Sequence, residues 1–387
     1  MKLVMTLMVR DEADVISAMI DHHLAQGIDT IIVTDNGSVD GTLEIIQGYL
    51  GGGQVRLHQD PLHHKQQHST VTGMAREAFA EFGADWVLNA DADEFWVSVN
   101  PNLTLREALE HTPTGLQSFQ VPVIDLTGPP ALSGSGFSRL IYRDNRSIDE
   151  MQALGLRAHS TPNAAHIGSA DIVVSQGNHA VSLKSHGHPE PEFAIEVLHM
   201  PWRSWTQFRH KVENAGRAYD DNPDLSPSTN HHGMRDYRRL QDGELLPFYI
   251  ARHPSAADIN LGARNGTLTA TDRLLHLLPL AIPDVLLEPE LEACYREQGV
   301  ILTMLEARQD QSDEMLRLAK EEIMEATREI VEARRQWEET VFDQAALVSI
   351  LEGEITAFRS RRIVRLADGT GRLTSDLRRR LSRLRRR

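Results

Sequence analysis

Along the first hundred residues, short aliphatic and β-branched runs alternate with segments whose apolar residues recur every three to four positions. Leu3 to Val9 reads as a buried strand, Ala13 to Gln26 as a helix closed by Gly27, and Thr30 to Thr34 as a second strand. A Gly-containing turn leads to a helix near Thr42 to Leu50 and a third strand at Gln54 to His58. A further helix from Ser69 to Phe82 ends at Gly83, and Asp85 to Asn89 reads as a fourth strand. Strands spaced by helices of this length predict βαβ units and a parallel sheet covered on both faces. Ligands of such sheets bind beyond the carboxyl ends of the strands, so functional loops are expected from about Arg10, Asp35, Asp60 and Asp91.

From Gly115 to Leu198 the pattern is less regular, with strand-like pieces at Ser118 to Ile124, Ile172 to Val174 and Glu196 to His199. Trp202 to Tyr219 reads as a helix, whereas the polar stretch from Asp220 to Leu261, rich in Pro and His, fits no element. Beyond Pro289 one long helix is predicted. A seven-residue column runs Leu302, Gln309, Leu316, Ile323, Ile330, Trp337, Gln344, Leu351, Phe358, beside a smaller column from Leu305 through Ala319, Ala326 and Ala333 to Leu347. Such a seam predicts a coiled coil and a homo-oligomer. The expected units are residues 1–220 around the sheet, 221–289 as a connecting or accessory region, 290–358 as long helix or coiled coil, and 359–387 as a tail.

Composition narrows the class. With 41% hydrophobic and 25% charged residues in 387, the chain is a normal globular one, and no run approaches the ~20 apolar residues a bilayer span needs. Met1 to Arg10 reads as a first strand and not a signal peptide, and a single cysteine, Cys294, excludes a disulfide framework or Cys-rich zinc module, so the cytoplasm is expected. The net charge of -15 is unevenly spread: residues 359–387 carry 12 Arg against two Asp, leaving -25 on the rest. An acidic body is not a nucleic-acid surface. In the tail, Leu373, Leu377, Leu381 and Leu384 lie at helical spacing among the arginines, a pattern suited to peripheral contact with the inner face of a membrane.

The candidate chemistry begins at Asp91-Ala92-Asp93-Glu94, directly after the fourth predicted strand. Two carboxylates at i and i+2 can share a divalent cation with a diphosphate, since Mg2+ and Mn2+ combine a few carboxylates with substrate phosphates. The same pair would serve equally as an acidic cap before the next element. Thr34 to Thr42, TDNGSVDGT, adds a carboxylate, Asp35, at the end of a buried strand, where it can accept from a base N–H or a ribose hydroxyl.

Taken in order, MVRDEAD, VTDNGSVDGT and DWVLNADADEFW resemble the family 2-like glycosyltransferases of GT-A fold, a Rossmann-like α/β architecture with a mostly parallel sheet and flanking helices. His199-Met200-Pro201-Trp202-Arg203-Ser204, followed by Phe208 and Lys211, is similar to a segment that closes the domain in one subgroup, so the resemblance covers about residues 1–220. It implies a metal-dependent, inverting transferase that uses a nucleotide sugar, in the first place a UDP-sugar, with Mn2+ or Mg2+ and a glycan or lipid-linked acceptor, in polysaccharide biosynthesis. Carried onto this chain, Glu12, Asp35 and Asp40 would hold the uridine side, Asp91 the ribose and metal, and Asp93 the metal. His199 would add a metal or diphosphate contact, and Arg203 and Lys211, eight residues apart on one predicted helical face, would neutralise the leaving diphosphate.

The chain departs from that pattern in two places. Asp11 stands where the family often has Asn, and the Glu-Asp pair that supplies an acceptor-activating base in many members is missing. Glu196 and His179 are the expected substitutes, with Asp171 a further option. The missing pair keeps open an alternative, a non-catalytic nucleotide-sugar-binding scaffold whose coiled coil is its working part. His22-His23 is expected to be structural, and His63-His64 and His231-His232 lack a third ligand at zinc spacing.

Overall fold

The computed structural model describes residues 1–60, 67–156, 158–220 and 232–360, with positions 372, 375, 376, 378 and 379. His63, His64, His231 and the four tail leucines lie outside the described residues. Two compact units divide the chain, residues 1–307 and 308–387.

The first unit opens with β1 (Leu3–Val9), α1 (Ile16–Ala25), β2 (Thr30–Asp35), α2 (Thr42–Tyr49), β3 (Val55–Gln59), α3 (Gln67–Ala80), β4 (Trp86–Ala90) and β5 (Glu94–Ser98). There follow α4 (Leu105–Glu110), β6 (Ser118–Val121), β7 (Val123–Thr127), β8 (Ala131–Ser133), β9 (Tyr142–Asp144), α5 (Ile148–Ala153), β10 (Asn163–Ile167) and β11 (Ile195–His199). The remaining elements are α6 (Trp205–Asp220), α7 (His232–Gln241), α8 (Leu245–Arg252), α9 (Ala256–Asn265), β12 (Leu268–Ala270), β13 (Val285–Leu286) and α10 (Pro289–Ser360).

The expected parallel sheet is present. Its order is β3-β2-β1-β4-β10-β6, with β1 to β4 mutually parallel and β10 antiparallel to both neighbours. Alternate residues of β1 face opposite layers: Leu3, Met5 and Leu7 join α1 through Ile16, Met19 and Ile20, while Val4 joins α3 through Val71, Met74 and Ala75. Burial on both faces explains why β1, β2 and β4 read as largely apolar runs, whereas the edge strand β3 is partly exposed. A second sheet, β12-β9-β7-β11-β5, lies beyond β4, and its β5 follows the Asp91–Asp93 turn immediately.

The irregular middle differs from the sequence reading in identifiable ways. The run Ser118 to Ile124 is two strands broken at Pro122, one in each sheet, because proline has no N–H to give a ladder. Ile172 to Val174 contributes an isolated bridge, Val174 to Val181. The described part of 221–289 forms α7, α8, α9 and two short strands that pair with β9 and β8. Helix α10 begins where expected, but its first turns belong to the first unit. Thr303 is buried, Gly299 lies against the Pro247 carbonyl with no room for a Cβ, and Arg239 Nε reaches Glu306 at 2.7 Å.

Both adjacent histidines of α1 are core residues. The Trp96 N–H donates to His23 Nε2 at 3.1 Å, and His22 Nε2 meets the Trp96 carbonyl at 3.0 Å, so the pair stitches α1 to β5. Burial keeps His23 neutral, its pKa down to about 4. Among the described residues no helix is long and apolar enough to cross a membrane.

Candidate active site

The loops after β1, β2 and β4 converge, as the parallel sheet requires. At the end of β1, Asp11 adopts a left-handed conformation with φ 56°, uncommon for a residue with a side chain. Its carboxylate accepts from the Val39 N–H at 2.8 Å and from Asn214 Nδ2 at 3.1 Å, and pairs with His210 at 2.9 Å. The β1 loop is thereby tied both to the β2 loop and to α6.

The expected uridine-side residues separate. Asp35 receives the Gly37 and Ser38 N–H groups on one oxygen, at 3.1 and 3.2 Å, while its other oxygen is buried and has no hydrogen-bond partner. That oxygen is a preformed acceptor. Asp40 has both oxygens engaged, by the Ala13 N–H at 3.0 Å and by the Thr42 N–H and hydroxyl at 3.0 and 2.6 Å. It braces the starts of α1 and α2. Glu12 is turned towards Arg203, with which it makes a short ion pair.

Asp91 and Asp93 face different neighbours. Asp91 accepts from Gln67 Nε2 at 3.1 Å and Asn178 Nδ2 at 3.3 Å, and burial followed by the nearby Asp93 charge raises its pKa. Asp93 is wholly buried between cations: Lys211 Nζ at 2.8 Å, Arg203 at 3.3 Å and His199 Nε2 at 3.8 Å. Burial opposes its ionisation, yet Lys211, His199 and Arg203 together hold it well below the usual carboxylate range. One Asp93 oxygen still has no hydrogen-bond partner. Glu94 accepts from Asn163 Nδ2 at 2.7 Å, and burial next to Asp91 pushes it up to about 8.

Arg203 and Lys211 both reach Asp93, but not from one helical face. Arg203 precedes α6 and is completely buried, held by Asp14 at 2.9 Å as well as by Glu12, whereas the Lys211 side chain is 46% exposed. His199 ends β11, and its Nδ1 meets Asp125 Oδ1 at 2.8 Å. Burial works against the charged ring, but the Asp125 bond and the Asp93 charge raise His199 to about 9. A carboxylate on Nδ1 with Nε2 turned to a second carboxylate is the orientation a ligating imidazole takes.

Among the described residues no group of three or more His, Cys, Asp or Glu side chains is arranged to hold an ion alone. The unpartnered Asp93 oxygen and His199 Nε2 nevertheless fit an ion that draws its other ligands from phosphate and water.

Of the two base candidates, Glu196 is engaged. Arg143 grips it through two bonds of 2.7 Å each, between β9 and β11. His179 lies in the 176–178 turn's wake, where Gly177 leaves room for its ring, and its buried Nδ1 has no partner. It is close enough to Asp91 to favour that carboxylate's charged form. Asp171 is exposed. Sequence reasoning missed Asp14, Asp125, Asn163 and the His210–Asn214 pair. Asp125 carried a signal, a lone acid in the apolar run VIDLT.

Residues 7–112 match the family model described as Glycosyl transferase family 2. This segment is a glycosyl transferase family 2 domain. The chain is also similar to the crystal structure of S. aureus TarS 1-349, at 12% identity over 72% of this chain and 92% of that one, with a TM-score of 0.34. Glucosyl-3-phosphoglycerate synthase from Mycobacterium tuberculosis is similar at 19% identity over 43% of this chain and 56% of that one, with a TM-score of 0.23. A stretch of 81 residues, 20% of this chain, is 33% identical to Protein Shroom1 of Homo sapiens, of which it spans 9%.

Proposed function

We propose that this glycosyltransferase moves a sugar from a UDP-sugar, with inversion and with Mn2+ or Mg2+ bound, to a hydroxyl of a glycan or lipid-linked acceptor. The observation that carries the reading is Asp93, ionised, buried, flanked by Arg203 and Lys211, and left with one unpartnered oxygen towards His199. Asp93 and His199 would hold the ion, which supplies Lewis-acid stabilisation of a departing diphosphate. Lys211, partly exposed and held by Asp93, adds a positive charge where negative charge develops, and Arg203 fixes the carboxylates around it. The free oxygen of Asp35 accepts from the uracil or ribose. His179 takes the acceptor proton, since Glu196 is occupied by Arg143.

Titration calorimetry with UDP, with and without Mn2+, tests the reading. Asp93→Ala should abolish the Mn2+-dependent part of UDP binding while the circular dichroism spectrum is kept. Unchanged affinity in the folded variant would remove the metal assignment.

A further inference from the structure

Residues 308–360 form the greater part of α10, and its apolar side chains stand open to solvent. Leu316, Ile323, Ile330, Trp337, Leu351 and Phe358, all in the one seven-residue column, are 47–69% exposed. Leu302, the first residue of that column, is instead half-buried in the first unit, so the free seam starts at Leu305. Side chains of this size, half exposed, offer roughly 100 Å2 each, so the six give about 600 Å2 per copy. Doubled, that is about 1,200 Å2, the lower edge of a stable protein interface, before the smaller column is counted. A soluble helix does not keep such a stripe unpaired without a partner.

We propose that this stripe is the seam of a parallel, in-register coiled coil with a second copy of the same chain. Three features select that occupant and that orientation. In a parallel pair, the residue before each column position faces the residue five places later on the other copy. Arg308 then meets Asp313, and Glu329 meets Arg334, while none of the corresponding pairs from 308 to 355 joins like charges. At the far end the same geometry pairs Ile350 with Ile355, both exposed, and widens the apolar contact. The polar column residues Gln309 and Gln344 meet their own copies only when the helices are parallel and unshifted, since column positions face the other column in an antiparallel pair.

The small second column has a use in this arrangement. Ala333 and Thr340, the second-column residues before and after Trp337, are small, so the bulk of that stretch of the seam is carried by the indoles of the two copies. The same small residues make the contact lean on the larger column, so substitutions there should be decisive.

Sedimentation equilibrium of the full chain at about 10 μM tests the proposal, independently of any sugar or metal chemistry. The chain should sediment as a dimer, and Ile323→Lys with Ile330→Lys should give a monomer with the same unfolding temperature of the first unit. Glu329→Arg should weaken the dimer at least several-fold, and Glu329→Arg with Arg334→Glu should restore it. A monomeric or higher-order parent, or a dimer indifferent to the isoleucine changes, overturns the seam. Failure of the double charge exchange to restore the dimer overturns the parallel register.

Discussion

Arg203→Met takes a wholly buried cation from the midst of Glu12, Asp14 and Asp93. The methionine keeps much of the stem's packing, so the loss is electrostatic. Removing one partner of a buried ion pair costs about 3–5 kcal/mol, a large share of the ~5–15 kcal/mol that holds a folded protein. At roughly 2–4 °C per kcal/mol for a domain of this class, the unfolding midpoint should fall by about 6–20 °C. The deficit should depend on pH. Burial already raises Glu12 to about 7 even with Arg203 opposing it, and without Arg203 it rises further. A carboxyl whose folded pKa lies above its unfolded value takes up a proton on folding, so stability grows as pH falls through the folded value. The variant should therefore be weakest above about pH 8 and recover part of its deficit near pH 5.5. Thermal unfolding followed by circular dichroism at the two pH values measures both effects. A variant within about 1 kcal/mol of the parent at the higher pH, or a deficit that widens on acidification, would refute the buried-cation argument.

If the free oxygen of Asp35 serves the nucleotide, Asp35→Ala should weaken UDP and a UDP-sugar by the same factor in calorimetry; loss confined to the sugar-bearing ligand would misplace it. Glu196→Gln breaks a two-bond pair with Arg143 and should lower stability by about 1–3 kcal/mol in urea unfolding, with turnover retained if His179 is the base. Asp236 is buried, but Arg252 and Arg239 hold its carboxyl below the usual range. Its stabilisation is thus present above the unfolded carboxylate value, near pH 4, and lost as pH falls further, so Asp236→Asn should flatten the acid limb of a stability–pH curve. The Arg-rich residues 359–387 should float the full chain with anionic vesicles at low salt, and a chain ending at Phe358 should stay behind; equal behaviour would end the membrane reading.

The parallel sheet was legible because β1, β2 and β4 are buried on both faces and the first and third helices are closed by Gly27 and Gly83. The ligand loops followed from topology, and residues 7–112 carry the family match that the three leading motifs pointed to. The middle was harder for a physical reason. Strands such as Ala131–Ser133 and Tyr142–Asp144 are three residues long, and each is completed by a partner more than a hundred positions later, so no local period announces them. Arg203 shows the same limit in a single side chain. In the sequence it reads as a helix residue sharing a face with Lys211, and its burial follows only from Glu12 and Asp14, almost two hundred residues earlier.

The two aspartates of the Asp91–Asp93 turn carry the argument furthest, because their spacing alone treats them as equals. Asp91 lies among amides, Gln67 and Asn178, and burial with the neighbouring charge moves its pKa up. Asp93, two residues on, meets Arg203, Lys211 and His199, and is driven the other way. Like charges this close resist joint ionisation, and the cations settle which of the pair is permanently charged. All three cations come from residues 199–211, the end of β11 and the start of α6. The carboxylate pair thus acquires its asymmetry from a segment a hundred residues downstream, and a helix that left its place would remove the charge difference before it removed either aspartate.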